Sequence, residues 1–241
     1  MKKINALYVA IVALVFAVAA LVMCIVCCAS SSKGGSVAEA LKANPEMVVE
    51  AMQAFETKQR EEAMRRAEEN IKARANDLYS RADDAFIGNP DGKIVIAEFF
   101  DFSCGFCHRV YPALKSIVAK NSDVKIVAKP MTFLSPASKY AAEVALAANE
   151  QGKFAEVFDA LFAAEGRLTE EKIDELAAAK GLDMAKLKED MKSAKVQKTL
   201  NDASELAGAI QVNGVPTMVL GDKLLQTIDE SAIQAAVDAA R

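Results

Sequence analysis

The 241-residue chain contains no tryptophan, one histidine, six prolines and no surplus of positive charge. Each shortage removes a class of function. Lys and Arg number 29 against 33 Asp and Glu, a formal net charge of −4, so no basic stripe can track a phosphate backbone and nucleic-acid binding is not expected. Zinc needs three or four Cys, His or carboxylate ligands. Here the lone His108 sits beside Cys104 and Cys107, and the other three cysteines fall within an apolar N-terminal run, so neither a metal nor another cofactor is expected. What is present is 52% hydrophobic and 26% charged residues, enough for one sizeable domain with appendages or for two small ones.

The apolar run is the first strong signal. Lys2 and Lys3 precede 24 uninterrupted apolar residues, Ala6 to Ala29, followed by a polar stretch over 31–36. A cleaved signal has an apolar region of roughly 7–15 residues, whereas about 20 residues cross a bilayer as a helix. The length favours a signal-anchor over 1–30, in the membrane through residues 6–29, with the positive flank in the cytoplasm and the rest of the chain outside. A processed signal or a lipoprotein is the alternative. Cys24, Cys27 and Cys28 follow Met23, Val26 and Cys27 rather than the small residue that normally precedes a lipid-acceptor cysteine, and as small apolar residues they suit lipid.

Residues 37–82 read as helix. Between Val37 and Ser80 there is no glycine and Pro45 is the only proline. Asn44 can cap, Pro45 suits the first turn and Glu46 complements the dipole, which predicts a helix from Pro45 to Ser80 of roughly 54 Å. Glu61/Arg65, Glu62/Arg66 and Glu68/Lys72 stand at i, i+4. Leu41, Val48 and Phe55 recur every seven residues, and Met64, Ile71 and Leu78 do so in a shifted register. Such spacing points to a helix–helix seam and a homo-oligomer through residues 37–80; docking on the chain's own domain, or a solvated spacer, are the other readings.

Asn89-Pro90-Asp91-Gly92 is a turn that opens an α/β segment. Residues 93–100 form a short apolar run rich in β-branched and aromatic side chains, a buried strand. Cys104-Gly105-Phe106-Cys107 follows, then helical spacing to Lys120 and a second strand over 124–128. This is a βαβ unit with a dithiol at the helix N-terminus. Residues 137–210 are Ala-rich and helical, and the chain closes with Gly214-Val215-Pro216-Thr217, two short strands and an amphipathic helix from about Glu230.

A thiolate, not a thiol, attacks a disulfide. Unpaired N–H donors and the positive dipole end at the helix N-terminus favour Cys104 as the nucleophile, while Cys107, one turn in, becomes the resolving thiol. A structural disulfide or half of a metal site are the plainer readings. A bridge across two residues would constrain the unfolded chain little, however, and further metal ligands are lacking.

Strand, Cys104-Gly105-Phe106-Cys107 and a distant Gly214-Val215-Pro216-Thr217 together resemble the thioredoxin superfamily. The helical insertion over 137–210 resembles its DsbA branch, and the helix with Asn44-Pro45-Glu46 is similar to the trimeric suppressor-of-copper-sensitivity type (ScsC). The likeness covers residues 37–241. It implies a thioredoxin fold over 83–241 with a DsbA-like insertion, and a redox-active Cys104–Cys107 disulfide. It also implies a cis-proline loop in which Val215 and Pro216 face the dithiol and bind substrate backbone. Glu98, six residues before Cys104, matches an acid that the family buries behind the dithiol, where it would accept the Cys107 proton; a solvated edge-facing Glu98 is the alternative. Lys129 is a weaker candidate for its partner. Gly105-Phe106 is similar to the Gly-Tyr of periplasmic isomerases. His108, just outside, is either a solvated first-turn residue or a modest stabiliser of the thiolate.

The expectation is an exported disulfide oxidoreductase of isomerase or reductase type. Its partners would be unfolded or misoxidised exported proteins and a membrane redox partner, and it would work without a cofactor on the periplasmic face of the membrane. A net dithiol oxidase, or a non-enzymatic surface lipoprotein on the same scaffold, are the alternatives.

Overall fold

A computed structural model describes residues 14–25, 37–81 and 84–241. The expected anchor over 6–29 lies partly outside these residues, and the linker over 31–36 entirely so. Residues 14–25 are helical (α1), and among the described residues no helix is long and apolar enough to cross a membrane. The chain divides into two compact units, residues 1–61 and 62–241.

In the first unit, α2 (Val37–Ala43) is followed at Asn44-Pro45 by the start of α3 (Glu46–Ala73). The break falls where the proline removes a donor, and the Met47 amide turns back to the Asn44 carbonyl at 3.1 Å. Leu41, Val48 and Phe55 are all exposed, Phe55 to 63%.

The second unit begins earlier than the expected 83. The last part of α3 and the short α4 (Ala75–Tyr79) bury Ile71 and Leu78 completely, in a cluster with Ala97, Phe99, Leu206, Ile210 and Val219. Polar contacts reinforce this seat. Asn70 Nδ2 donates to the Ala209 carbonyl at 2.7 Å, and the Tyr79 hydroxyl donates to the Gly221 carbonyl at 2.9 Å. Lys72 pairs with Asp222 at 3.2 Å. The single helix expected to Ser80 is therefore broken at Arg74, and Lys72 and Arg65 reach Asp222 and Glu69 rather than the expected i−4 glutamates. Of the second heptad register, Ile71 and Leu78 dock on the chain's own domain and only Met64 stays exposed.

Five strands form one sheet in the order β1-β3-β2-β4-β5. They are β1 (Phe86–Gly88), β2 (Ile94–Phe100), β3 (Val124–Pro130), β4 (Thr217–Leu220) and β5 (Lys223–Leu225). β2 and β3 are parallel and the other neighbours antiparallel. The crossover between the parallel pair is α5 (Gly105–Lys120), as a βαβ unit requires. β1 is too short to announce itself by alternation; it ends at Gly88, whose φ of +91° and closeness to the Val124 carbonyl leave no room for a Cβ.

Between β3 and β4 lie α6 (Pro136–Asn149), α7 (Phe154–Ala163), α8 (Glu170–Ala178), α9 (Met184–Asp190) and α10 (Ala194–Ala209), and α11 (Glu230–Ala239) closes the unit. One continuous core joins α6 to α9 with α5 and one sheet face. α10 serves both faces: its Val196 and Leu200 join the core of the other insertion helices, while its Leu206 and Ala207 pack beneath the opposite sheet face.

Leu78→Ala should destabilise residues 62–241 by about 2–5 kcal/mol, as a fully buried leucine does. A chain beginning at Glu62 should unfold in one cooperative transition, whereas a chain beginning at Asp84, stripped of Ile71 and Leu78, should lose most of that stability. Urea denaturation followed by circular dichroism measures both.

Candidate active site

The end of β2 runs through Asp101, Phe102 and Ser103 directly into α5. Cys104 is the N-cap residue, with extended φ −83° and ψ 115°. Its amide donates to the Asp101 carbonyl at 2.9 Å, and its own carbonyl accepts the His108 amide at 3.0 Å. Cys104 is 8% exposed, Cys107 is fully buried one turn in, and both are free thiols. This is the arrangement expected from the Cys-x-x-Cys spacing.

Gly214-Val215-Pro216-Thr217 crosses in front of the dithiol. The Val215–Pro216 peptide is cis. The Cys104 thiol points at the Val215 carbonyl with Sγ 3.5 Å from the oxygen, and the Thr217 hydroxyl steadies the loop by donating to the Gly214 carbonyl at 2.7 Å. Val215 and Pro216 thus lie against Cys104, and with Phe106 and Ile228 they line an open cleft of about 530 Å³. Arg109 stacks its guanidinium 4.0 Å from the Phe106 ring centre on that side. A second cleft of about 480 Å³, on the side of Ser103, Gly105 and His108, is bounded by Leu134 and Arg167.

Strand period places Glu98 behind the dithiol. Glu98 pairs in register with Ala128 on β3 and Met218 on β4, and cross-strand partners share a face. That face also carries Ile96 and Phe100 and packs on Cys107, Val110 and Leu114. Glu98 is 1% exposed, and its Oε2 has no hydrogen-bond partner. Desolvation pushes its carboxyl from 4.5 up to about 8. Burial likewise drives the Cys107 thiol far above its ordinary range; the Cys104 thiol and the Glu98 carboxylate act in the same direction, and a hydrogen bond from the Asp101 backbone opposes them. Two neighbouring groups that each resist ionisation can share one proton.

Lys129 is not the partner of Glu98. Its register partner is Phe99, so its side chain leaves by the opposite face, where Nζ lies 2.7 Å from Asp84 Oδ1 and 2.8 Å from the Asp77 carbonyl. Both members of this pair are almost fully buried, Lys129 at 4% and Asp84 at 9% side-chain exposure. A one-residue offset in a strand exchanges faces, and Glu98 and Lys129 belong to strands whose register separates them by that offset.

Asp101 was not among the expected site residues. It is fully buried; its Oδ1 accepts from the Ser103 amide at 2.8 Å and its Oδ2 from the Leu134 amide at 3.3 Å. It thereby ties the loop that leads into Cys104 to the loop before α6. The signal was an Asp two residues ahead of a Ser, the spacing of a side-chain turn. The two serines of the α6 capping box, Ser135 and Ser138, reach the Ser103 hydroxyl at 2.8 and 3.0 Å and strengthen the same junction.

A family model for the DSBA-like thioredoxin domain matches residues 95–239, more than half of the chain. The chain belongs to that family. A thioredoxin-like oxidoreductase from Silicibacter pomeroyi DSS-3 has a similar structure, with a TM-score of 0.65 at 31% identity, covering 69% of this chain and 96% of that one. Proteus mirabilis ScsC in a transitional conformation gives a TM-score of 0.67 at 26% identity, covering 85% of this chain and 93% of that one. Among curated sequences, the Na(+)/H(+) antiporter NhaA 1 of Salinispora arenicola is 28% identical over 156 residues, which are 64% of this chain. The chain spans about a quarter (24%) of the length of that antiporter. The DSBA-like domain here thus has its cysteine pair, its cis-proline loop and its buried acid on one site.

Glu98 is held neutral in the folded protein, so stability should fall as pH rises from about 4.5 through about 8 and level off above. Glu98→Gln should flatten that slope and leave the protein more stable than wild type at pH 8.5. Urea denaturation at pH 5 and pH 8.5, on reduced protein, checks the sign.

Proposed function

We propose that the protein is an exported thiol–disulfide oxidoreductase that acts on protein disulfides, of isomerase or reductase type, with Cys104 as nucleophile and Cys107 as resolving thiol. The observation that carries this reading is Cys104 at the N-terminus of α5, facing the Val215 carbonyl with Cys107 buried beneath it. The Cys104 thiolate attacks one sulfur of a substrate disulfide, a mixed disulfide forms, and the other substrate sulfur leaves as a thiolate. In isomerisation the freed thiolate, or another on the substrate, re-forms a disulfide within the substrate and expels Cys104 unchanged, with no net electron transfer. In reduction the ionised fraction of Glu98, a minority at neutral pH because burial raises its carboxyl to about 8, takes the Cys107 proton, and the resulting thiolate attacks the Cys104 sulfur. The substrate then leaves as a dithiol and two electrons have moved, which leaves a Cys104–Cys107 disulfide for a membrane redox partner to reduce.

Substrate chemistry follows from the surface. Phe106, Leu134 and Ile228 are large apolar side chains of the 62–241 unit left between 43% and 55% exposed, and they line the two clefts beside Cys104. Such a rim suits extended, unfolded segments, whose backbone Val215 and Pro216 would hold as an added strand.

Self-association through residues 37–61 supports the isomerase kind, because an enclosed cluster of dithiols keeps the partners that oxidise single domains away. The exposed Leu41/Val48/Phe55 seam is the surface for it, and burying a side chain such as Phe55 is worth roughly 1.5–3 kcal/mol. The apolar run over 6–29 behind Lys2 and Lys3 supports a location at the outer face of the cytoplasmic membrane, with lipid attachment or release after cleavage as the other routes to the same compartment.

Cys107→Ser should accumulate mixed disulfides with substrate, and Cys104→Ser should not; non-reducing electrophoresis after acid trapping distinguishes them. Residues 62–241 alone should still reduce insulin but lose most activity on scrambled ribonuclease. Light scattering that finds residues 37–241 monomeric at micromolar concentration would favour the oxidase or reductase over the isomerase.

A further inference from the structure

His108, the single histidine, occupies the fourth position of α5, one turn beyond Cys104. Both ring nitrogens face backbone carbonyls. Nε2 lies 2.8 Å from the Phe102 oxygen and Nδ1 3.0 Å from the Phe162 oxygen. A carbonyl oxygen only accepts, and a neutral imidazole carries a single N–H, so either tautomer sets one nitrogen lone pair against an oxygen. The doubly protonated ring donates to both. We propose that His108 is a positioning residue for the dithiol: as an imidazolium it clamps the loop carrying Cys104 to the end of α7 and holds a cation one helical turn from that cysteine. The consequence for exchange rests on the redox reading above; the clamp does not.

The surroundings fit a held cation. Phe102 lies two residues before Cys104, so its carbonyl belongs to the loop that aims α5. Phe162 lies in the last turn of α7, where carbonyls lack intrahelical donors and the dipole favours positive charge. The Phe162 ring also meets the imidazole edge to face, with centroids 5.1 Å apart and planes at 69°, so the ring is gripped from one element by both carbonyl and aromatic contact.

Charged and titratable groups stand on each element around it. On α5 they are Cys104, Cys107 and Arg109, on β2 Glu98, in the nucleophile loop Asp101, on α7 Asp159, and after α7 Glu165 and Arg167. Asp101 is committed to the Ser103 and Leu134 amides, and Asp159 to the Tyr111 hydroxyl and the Lys115 ammonium. Neither carboxylate pairs with the ring, whose nitrogens are both taken by neutral carbonyls. A Cys104 thiolate, one helical turn away, is the anion that would gain from that charge. That thiolate exists only in the reduced protein, so the cation favours the dithiol over the disulfide.

The test uses the 37–241 protein, His108→Gln and His108→Lys, with thermal melting to confirm folding. In ¹H–¹⁵N spectra of the reduced wild type at pH 6, both imidazole N–H groups should appear as protected signals. A single protonated nitrogen, or two that exchange freely with water, would overturn the clamp. The equilibrium measured is protein disulfide plus two glutathione thiols giving protein dithiol plus glutathione disulfide. At pH 6 His108→Gln should shift it toward the protein disulfide by roughly two- to fivefold, and at a higher pH at which the wild-type spectrum has lost one of the two imidazole N–H signals, variant and wild type should coincide. His108→Lys, a cation at both pH values, should match wild type at pH 6 and exceed it at the higher pH. Equal shifts at both pH values would mean that His108 acts by packing alone and would overturn the role of its charge. If the wild-type pair exchanges with glutathione at neither pH while both N–H signals are present, the exchange reading falls and the positioning role with it; missing signals in a protein that does exchange overturn the clamp alone.

Discussion

Everything at this site depends on the parallel pairing of β2 with β3. A parallel pair cannot be joined by a hairpin, so the chain must cross over, and the crossover helix begins at the C-terminal end of β2. That geometry puts an N-cap residue, Cys104, just beyond the C-terminal end of the central strand, at the positive end of the helix dipole. The second cysteine, three positions on, is carried one turn inward into the core. The two thiols therefore differ in depth along one helix.

The core that surrounds this helix works on the dithiol as well as on stability. Phe100, Phe102, Phe158 and Phe162 form a continuous aromatic cluster with centroid separations of 4.8 to 5.7 Å, and Tyr111 stacks on Phe162 at 5.1 Å. Such pairs add about 0.5–1.5 kcal/mol each beyond the area they bury. They also link the loop before Cys104 to the helical insertion, so insertion and thioredoxin core share one packed interior. In that interior a carboxylate without a partner costs more as an anion than as an acid. Burial thereby raises the Glu98 carboxyl to about 8.

The N-terminal helical segment has two physical characters. From Glu62 onward it is a structural part of the catalytic unit, seated through Ile71 and Leu78 on the sheet face opposite the dithiol. Before Glu61 it is a helix with apolar residues in the open. Apolar side chains with heptad spacing and no cover are what a helix retains for another helix.

The sequence by itself determined the local chemistry: the helix that follows a buried strand, the cysteine at its first turn, the proline before the closing hairpin, and the break at Asn44-Pro45. These follow from residue types at short range, where periodicity, capping and missing donors act. The wider assignment of the fold came from the combination of Cys104-Gly105-Phe106-Cys107 with Gly214-Val215-Pro216-Thr217, two motifs more than a hundred residues apart. Tertiary structure alone decided the faces and partners. Heptad spacing is the same for a seam between chains and a seam onto one's own sheet, so only packing separates Phe55 from Ile71. Strand register alone sends Lys129 to Asp84 and away from Glu98, and a three-residue strand such as β1 has no pattern to read until β3 pairs with it. The two carbonyls that face His108 come from residues 6 and 54 positions away, and no local rule brings the second of them to the ring.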